Sequence, residues 1–195
     1  CFSSDICINR ASAGENGEKR DYYEPRYLLH AIGAAKYIKV YVQSLQVIPG
    51  EEFANVVASV KKFMNNGYIA SARLDDAYLK SLNDNHSIFL GLPLLSSFEG
   101  EGNDVDRVAK ELNKVCKDDA AQGIVAFMGH GNPDTYDTFK ANVRYTQLQE
   151  SLQAINPNYF VGTVDAADTY KQDVHQNMVE AGKQSGKLYL RCLMS

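Results

Sequence analysis

The sequence has no apolar run long enough to span a bilayer; its longest apolar stretches are about strand length. It has no basic stripe either. Twenty Lys and Arg against 24 Asp and Glu give a formal net charge of −4, with the two signs interspersed, which argues against a nucleic-acid surface. A small anionic ligand needs only a local patch and stays open. The four cysteines, Cys1, Cys7, Cys116 and Cys192, contain no C-x-x-C pair, so a structural zinc site is not indicated. Their scatter predicts reduced, mostly buried thiols in a reducing compartment. No signal peptide is visible, and the expectation is a cytoplasmic protein. No two histidines stand at the i, i+4 spacing of a helical metal pair. There is no G-x-S-x-G nucleophile turn. Gly100-Glu-Gly102 begins a G-x-G, but Val105 stands where a third glycine belongs and no strand directly precedes it. No nucleotide is expected.

What is present is an ordinary globular composition, 45% apolar and 23% charged. The 195 residues allow one large domain or two small ones. Strand and helix patterns alternate along the chain. Ile38–Leu45 is short, β-branched and aromatic, and reads as a strand. Before it, Pro25 suits a helix first turn, and Leu28, Leu29, Ile32 and Ala35 recur at helical spacing. After it, Gln46-Val-Ile-Pro-Gly50 is a turn. Glu51 and Glu52 then open a helix whose apolar face is Phe53, Val56, Val57, Val60, Phe63 and Met64.

A partial helix is predicted around Asp75–Leu82, then a strand at Ser87–Leu92 stopped by Pro93, and a helix over Asp104–Lys117. Gly123–Met128 is apolar after its first residue, as in a strand covered on both faces. Helical period returns over Tyr136–Leu152, a strand over Tyr159–Val164, a helix over Thr169–Gln184 and a strand over Leu188–Leu193. This order predicts βαβ units and a largely parallel sheet, with ligand-binding residues just after the strands. Those segments are Gln46 to Glu52, Pro93 to Ser97, Gly129 to Gly131, and Asp165. The boundary between two α/β halves is placed near residues 95–105, giving 1–97 and 98–195.

Three residues stand out. His130 sits between two glycines at the end of a buried strand. Glycine permits unusual backbone angles and close ligand approach, and a neutral imidazole there can bind a divalent metal or accept a proton. The alternative is a turn histidine bonded to backbone. Glu52 is either functional or simply an acid favoured by a helix first turn. Asp165 follows a strand apolar except for Thr163. It is either functional or a helix cap, although Asp168 and Thr169 suit that task better. His30, in an apolar helix stretch, reads as packed or surface. His86 falls in a polar loop, and His175 lies beside Asp173 as a solvated helix residue. The aromatic residues, mostly tyrosine, read as core rather than as a stacking platform.

The strand-end segments together resemble a known family. Val42-Gln-Ser-Leu-Gln46-Val-Ile-Pro-Gly-Glu-Glu-Phe53, then Gly91-Leu-Pro-Leu-Leu-Ser-Ser97, then Phe127-Met-Gly-His-Gly131, then Val161-Gly-Thr-Val-Asp165 are similar in order and spacing to the anaerobic sirohydrochlorin cobaltochelatases. The opening Cys1-Phe-Ser-Ser also resembles a segment of that family. The resemblance covers nearly the whole chain. It implies a chelatase-like α/β fold: two Rossmann-like halves, parallel sheets flanked by helices, and an active-site cleft between the halves. It implies insertion of a divalent metal, chiefly Co²⁺ as substrate but also other divalent metals, into sirohydrochlorin during anaerobic cobalamin synthesis. ATP is not required in that class, and relatives assemble as homo-oligomers.

By position, His130 resembles the family's metal-binding and catalytic histidine. Glu52 resembles the acid of its G-[DE]-E motif, and Asp165 stands where a metal-site glutamate is usual. A histidine with carboxylates holds Co²⁺ through mixed imidazole and oxygen ligation, and such groups can also take the two pyrrole protons. The sequence departs from the family at Gln46, where a histidine is usual, and at Asp165, one methylene shorter than glutamate. It begins after the family's first strand and helix and stops before the segment with a second metal-binding histidine. The chain is thus expected to be a fragment or a reduced relative. These departures support a second reading, a chelatase-like protein that binds a tetrapyrrole or metal without inserting it. A third is an α/β small-molecule-binding protein of unrelated function.

Overall fold

The computed structural model describes residues 12–13, 19–20, 25–65, 76–85, 87–96, 104–133, 135, 139–163, 179–180, 182–183 and 186–193. Two short strands, β1 (Ser12–Ala13) and β2 (Lys19–Arg20), pair antiparallel; no strand pattern in the sequence announces them. Then follow α1 (Pro25–Ala34), β3 (Val40–Gln43), α2 (Glu51–Met64), α3 (Asp76–Asp84) and β4 (Ile88–Gly91). The second half of the chain gives α4 (Asp104–Gln122), β5 (Ile124–Gly129), α5 (Val143–Gln153), β6 (Tyr159–Thr163) and β7 (Leu188–Cys192). In the other two sheets the strands run parallel and are separated by helices, which is the α/β class the alternating pattern predicts.

The chain divides into two compact units. One holds Cys1–Ser44 and Glu52–Gly91; the other holds Leu45–Glu51 and Leu92–Ser195. The first unit pairs β3 with β4, Val40 opposite Ile88 through Gln43 opposite Gly91. Leu29, Val40, Phe63 and Leu82 form its buried cluster, with Ile32, Val42, Val60 and Ile88 packed around them. These residues sit at helical spacing on α1 and α2 and at alternate positions on the strands, so period alone aims them at one core.

The second unit is built on β5, the central strand of the order β6-β5-β7. Val125, Phe127, Tyr159 and Val161 face one side and join Val105, Ala109, Cys116 and Ala120 of α4 and Tyr145, Leu148 and Leu152 of α5. On α4 the buried residues are spaced four, seven and four apart, one stripe of a long helix. Each large side chain fully buried here contributes about 2 kcal/mol of hydrophobic stabilisation. On the other side Ile124, Ala126 and Phe160 form a second buried cluster. Leu45–Glu51 joins this unit by backbone bonds from Leu94 N–H to the Gln46 carbonyl (3.0 Å) and from Leu95 N–H to the Val47 carbonyl (2.7 Å).

The structure corrects four expectations. The last turn of α4 extends to Gln122, because Cys116 and Ala120 continue its buried stripe. Helix α5 starts at Val143 rather than Tyr136: Lys140 adopts φ 51°, a left-handed conformation that ends helical continuity. Of the thiols within the described residues, Cys116 is buried but Cys192 is exposed, because β7 is an edge strand of its sheet. Tyr37 and Tyr41 are also exposed rather than core. Most of the predicted Thr169–Gln184 helix lies outside the described residues, although 179–180 and 182–183 are helical. No helix among the described residues is long and apolar enough to cross a membrane.

Candidate functional site

Four consecutive residues, Gly129-His130-Gly131-Asn132, leave the C-terminal end of the central strand. Gly129 is still in the sheet, in register with Thr163 of β6. A side chain there is impossible without displacement, since a Cβ would lie 2.4 Å from Cε1 of Tyr145. Gly131 has φ 77°, the left-handed region that glycine alone enters at no steric cost. The turn therefore needs both glycines, one for packing and one for direction.

His130 is exposed at this turn. Its Nδ1 lies 2.9 Å from the Gly131 carbonyl oxygen. A carbonyl only accepts, so Nδ1 carries the proton in the neutral ring and Nε2 carries the lone pair. Metal-binding histidines are commonly held this way, the second ring nitrogen bonded to a backbone carbonyl.

The turn is held from behind by residues that sequence reasoning left out. The Asn132 backbone N–H donates to Asn142 Oδ1 (2.8 Å), and Asn142 Nδ2 donates back to the Asn132 carbonyl (2.7 Å). Asn132 Nδ2 donates to the Pro49 carbonyl (3.4 Å), and its Oδ1 stands 2.2 Å from where a Gly50 Cβ would be. The Pro-Gly turn and the Gly-His-Gly turn, 83 residues apart in sequence, are thus joined through one asparagine. Tyr145, 1% exposed, lays its ring on Gly129. Burial raises its phenol pKa above the usual value, and backbone hydrogen bonds from Gly131 and His130 oppose the rise. The signals for these residues were faint: Asn132 sits beside a glycine turn, and Asn142 was hidden inside a helix expected to start earlier.

The other predicted residues separate. Glu52 is half-buried, second in α2, and is counted with the other compact unit from His130. Asp165, Asp168, Thr169, His86 and His175 lie outside the described residues, as do Cys1 and Cys7. Thr163, two residues before Asp165, is buried at the end of β6, and its hydroxyl has no hydrogen-bond partner. Gln46 carries its backbone carbonyl to Leu94. His30 is half-buried on α1, with its Nδ1 buried and unpartnered. No group of three or more His, Cys, Asp or Glu side chains that could hold a metal ion occurs among the described residues.

Comparison with known proteins matches residues 1–194 to the family described as cobalt chelatase (CbiK). A curated relative, the sirohydrochlorin cobaltochelatase CbiKC of Nitratidesulfovibrio vulgaris (strain Hildenborough), is 28% identical over 134 residues. The aligned stretch is 69% of this chain and 39% of that relative, so the chain spans about two fifths of the length of the protein it matches.

Proposed function

Because the chain belongs to the cobalt chelatase (CbiK) family, we propose that it acts in inserting Co²⁺ into sirohydrochlorin, without ATP. The observation that carries this reading is the state of His130. It projects from the end of the central strand, exposed, with Nδ1–H given to the Gly131 carbonyl and the lone pair on Nε2. A neutral imidazole so oriented suits a borderline divalent cation, and an exposed position suits a cation that must be taken up and passed on.

Insertion exchanges one Co²⁺ for two pyrrole N–H protons. The incoming ion must lose water and the macrocycle must lose both protons. In this reading His130 holds the metal, with Asp165 as its carboxylate partner. Glu52 is the base for a departing proton. A carboxylate and an imidazole can each accept a proton at neutral pH. In sequence Glu52 falls in the proposed first half, 1–97, and His130 and Asp165 in the second, 98–195. Cytoplasmic location and assembly of several copies fit the same reading.

The test is a metal-insertion assay with sirohydrochlorin and Co²⁺, followed by the change in the tetrapyrrole spectrum. His130→Ala should lower the insertion rate at least about a hundredfold, the scale of losing a general base or a metal ligand, while circular dichroism stays unchanged. Wild-type-like turnover in this variant would refute the assignment. Binding of tetrapyrrole or Co²⁺ by the wild-type chain with no insertion would instead establish the non-catalytic binding protein.

A further inference from the structure

Asparagine is a favoured residue at a helix start because its side chain can accept a hydrogen bond from the first free N–H groups. Asn142 occupies the N-cap of α5 and makes no such bond. Its backbone is already helical, φ −56° and ψ −32°, rather than in the extended conformation a capping residue adopts. The side chain faces the His130 turn instead. Both of its polar ends are matched there, acceptor to the Asn132 N–H at 2.8 Å and donor to the Asn132 carbonyl at 2.7 Å. Two backbone partners of opposite kind fix which end of the amide is which.

The Asn132 N–H belongs to the same peptide unit as the Gly131 carbonyl. One edge of that rigid plane is held by Asn142 Oδ1; the other edge accepts the Nδ1–H of His130 at 2.9 Å. Turning the plane would break both bonds together. Gly131, at φ 77°, is the joint about which it would turn, and without an outside anchor a glycine permits that motion.

We infer that Asn142 is a positioning residue for His130: by holding the Gly131–Asn132 peptide plane, it keeps the imidazole in the tautomer whose Nε2 bears the lone pair. This rests on the chelatase reading for its catalytic consequence, but not for the tautomer itself. The helix start and the metal-handling turn are then one device. The side chain that sequence patterns would assign to the helix acts on the histidine.

The test uses the full chain and two substitutions that both suit a helix start, Asn142→Ser and Asn142→Asp. Serine can cap the helix but is too short to bridge to Asn132; aspartate keeps the acceptor towards the Asn132 N–H that holds the peptide plane and loses only the donor to the Asn132 carbonyl, an oxygen outside that plane. Ring ¹⁵N NMR of neutral His130, assigned with a His130→Gln variant, reads the tautomer. Insertion of Co²⁺ into sirohydrochlorin gives kcat and KM. In the wild type and Asn142→Asp, the Nδ1–H form should dominate. In Asn142→Ser the two tautomers should mix. The serine variant should also lose about tenfold in kcat, the lower scale for removing a residue that orients a metal ligand, with KM for the tetrapyrrole unchanged. A purely helix-capping role would leave Asn142→Ser like the wild type in both readouts. An unchanged Nδ1–H signature in that variant overturns the inference, whatever its activity. A shifted signature in a chain whose wild type inserts no metal upholds the positioning and refutes the chelatase reading instead.

Discussion

The two parallel sheets obey the same alternation but are covered differently. In the β3–β4 pair, one face feeds the cluster of Leu29, Val40, Phe63 and Leu82, while the other leaves Tyr41 and Phe89 exposed, stacked at 4.9 Å. In the β6-β5-β7 sheet, β5 is buried from Ile124 to Phe127 on both faces. The turn after β5 is packed against a buried tyrosine, and its Asn132 is bonded to Asn142 and to the Pro49 carbonyl. A residue that must be held in place is better carried at the end of the second kind of strand, because the strand beneath it is buried on both faces even where the residue itself is exposed. His130 stands there.

Equal truncations should measure that difference. Leu148, 0% exposed, is surrounded by the large cluster of the second unit; Leu82, 2% exposed, belongs to the small one. Leu148→Ala should cost about 4 kcal/mol and Leu82→Ala about 2 kcal/mol, the upper and lower parts of the range for buried leucine. Partly buried neighbours around Leu82 can relax into the space, whereas close-packed neighbours around Leu148 cannot. Urea denaturation of each variant reads both values. Equal losses would mean that the two cores resist truncation alike and would remove the basis of the comparison.

A finer contrast lies at the strand ends. Gly129 closes β5 and Gly91 closes β4. A Cβ on Gly129 would meet the Tyr145 ring at 2.4 Å, and that ring is fully buried. A Cβ on Gly91 would meet Gln43 Oε1 at 2.2 Å, the far end of an exposed, flexible side chain. Gly129→Ala should therefore destabilise by about 2 kcal/mol, as overpacking a filled core does. Gly91→Ala should fall within about 0.5 kcal/mol of wild type, as at ordinary surface positions. The shift in thermal midpoint distinguishes them. A harmless Gly129→Ala would show that the turn below His130 has slack.

Much of this contrast was legible beforehand. The apolar run at Gly123–Met128 marked β5 as the strand covered on both faces, and Gly129-His130-Gly131 marked its end as the place to look. Periodicity also placed α1, α2 and α4, because each has one apolar stripe wide enough to read. The start of α5 was not legible. Nothing local to Tyr136–Asn142 announces that Lys140 takes a positive φ, since lysine has no preference for it. Nor could spacing reveal the Asn132 bond to Pro49, which joins residues 83 apart. Long-range polar contacts leave no period, so the residues that orient His130 were found only in the fold.

The smallest effect concerns Tyr145, which belongs to the buried core and to the turn at once. Its hydroxyl is bonded by the backbone of Gly131 and His130, but burial outweighs those bonds and raises its pKa above the ordinary phenol value near 10. The folded protein then keeps a proton that the unfolded chain releases, so this group's stabilisation is complete below about pH 10 and declines as pH rises through the folded pKa. Tyr159 and Tyr78 are raised in the same sense, chiefly by burial, and add to the alkaline decline. Tyr145→Phe keeps the ring on Gly129 and removes only the hydroxyl. It should cost about 1 kcal/mol at pH 7, a hydrogen bond's net worth. Above pH 10 the gap to wild type should narrow, because the variant has one fewer phenol to ionise on unfolding. Stability curves measured in parallel from pH 7 to 11 decide it. A gap that stays constant across that range would mean that the Tyr145 phenol titrates alike folded and unfolded, and that the turn carrying His130 is less tightly enclosed than its packing implies.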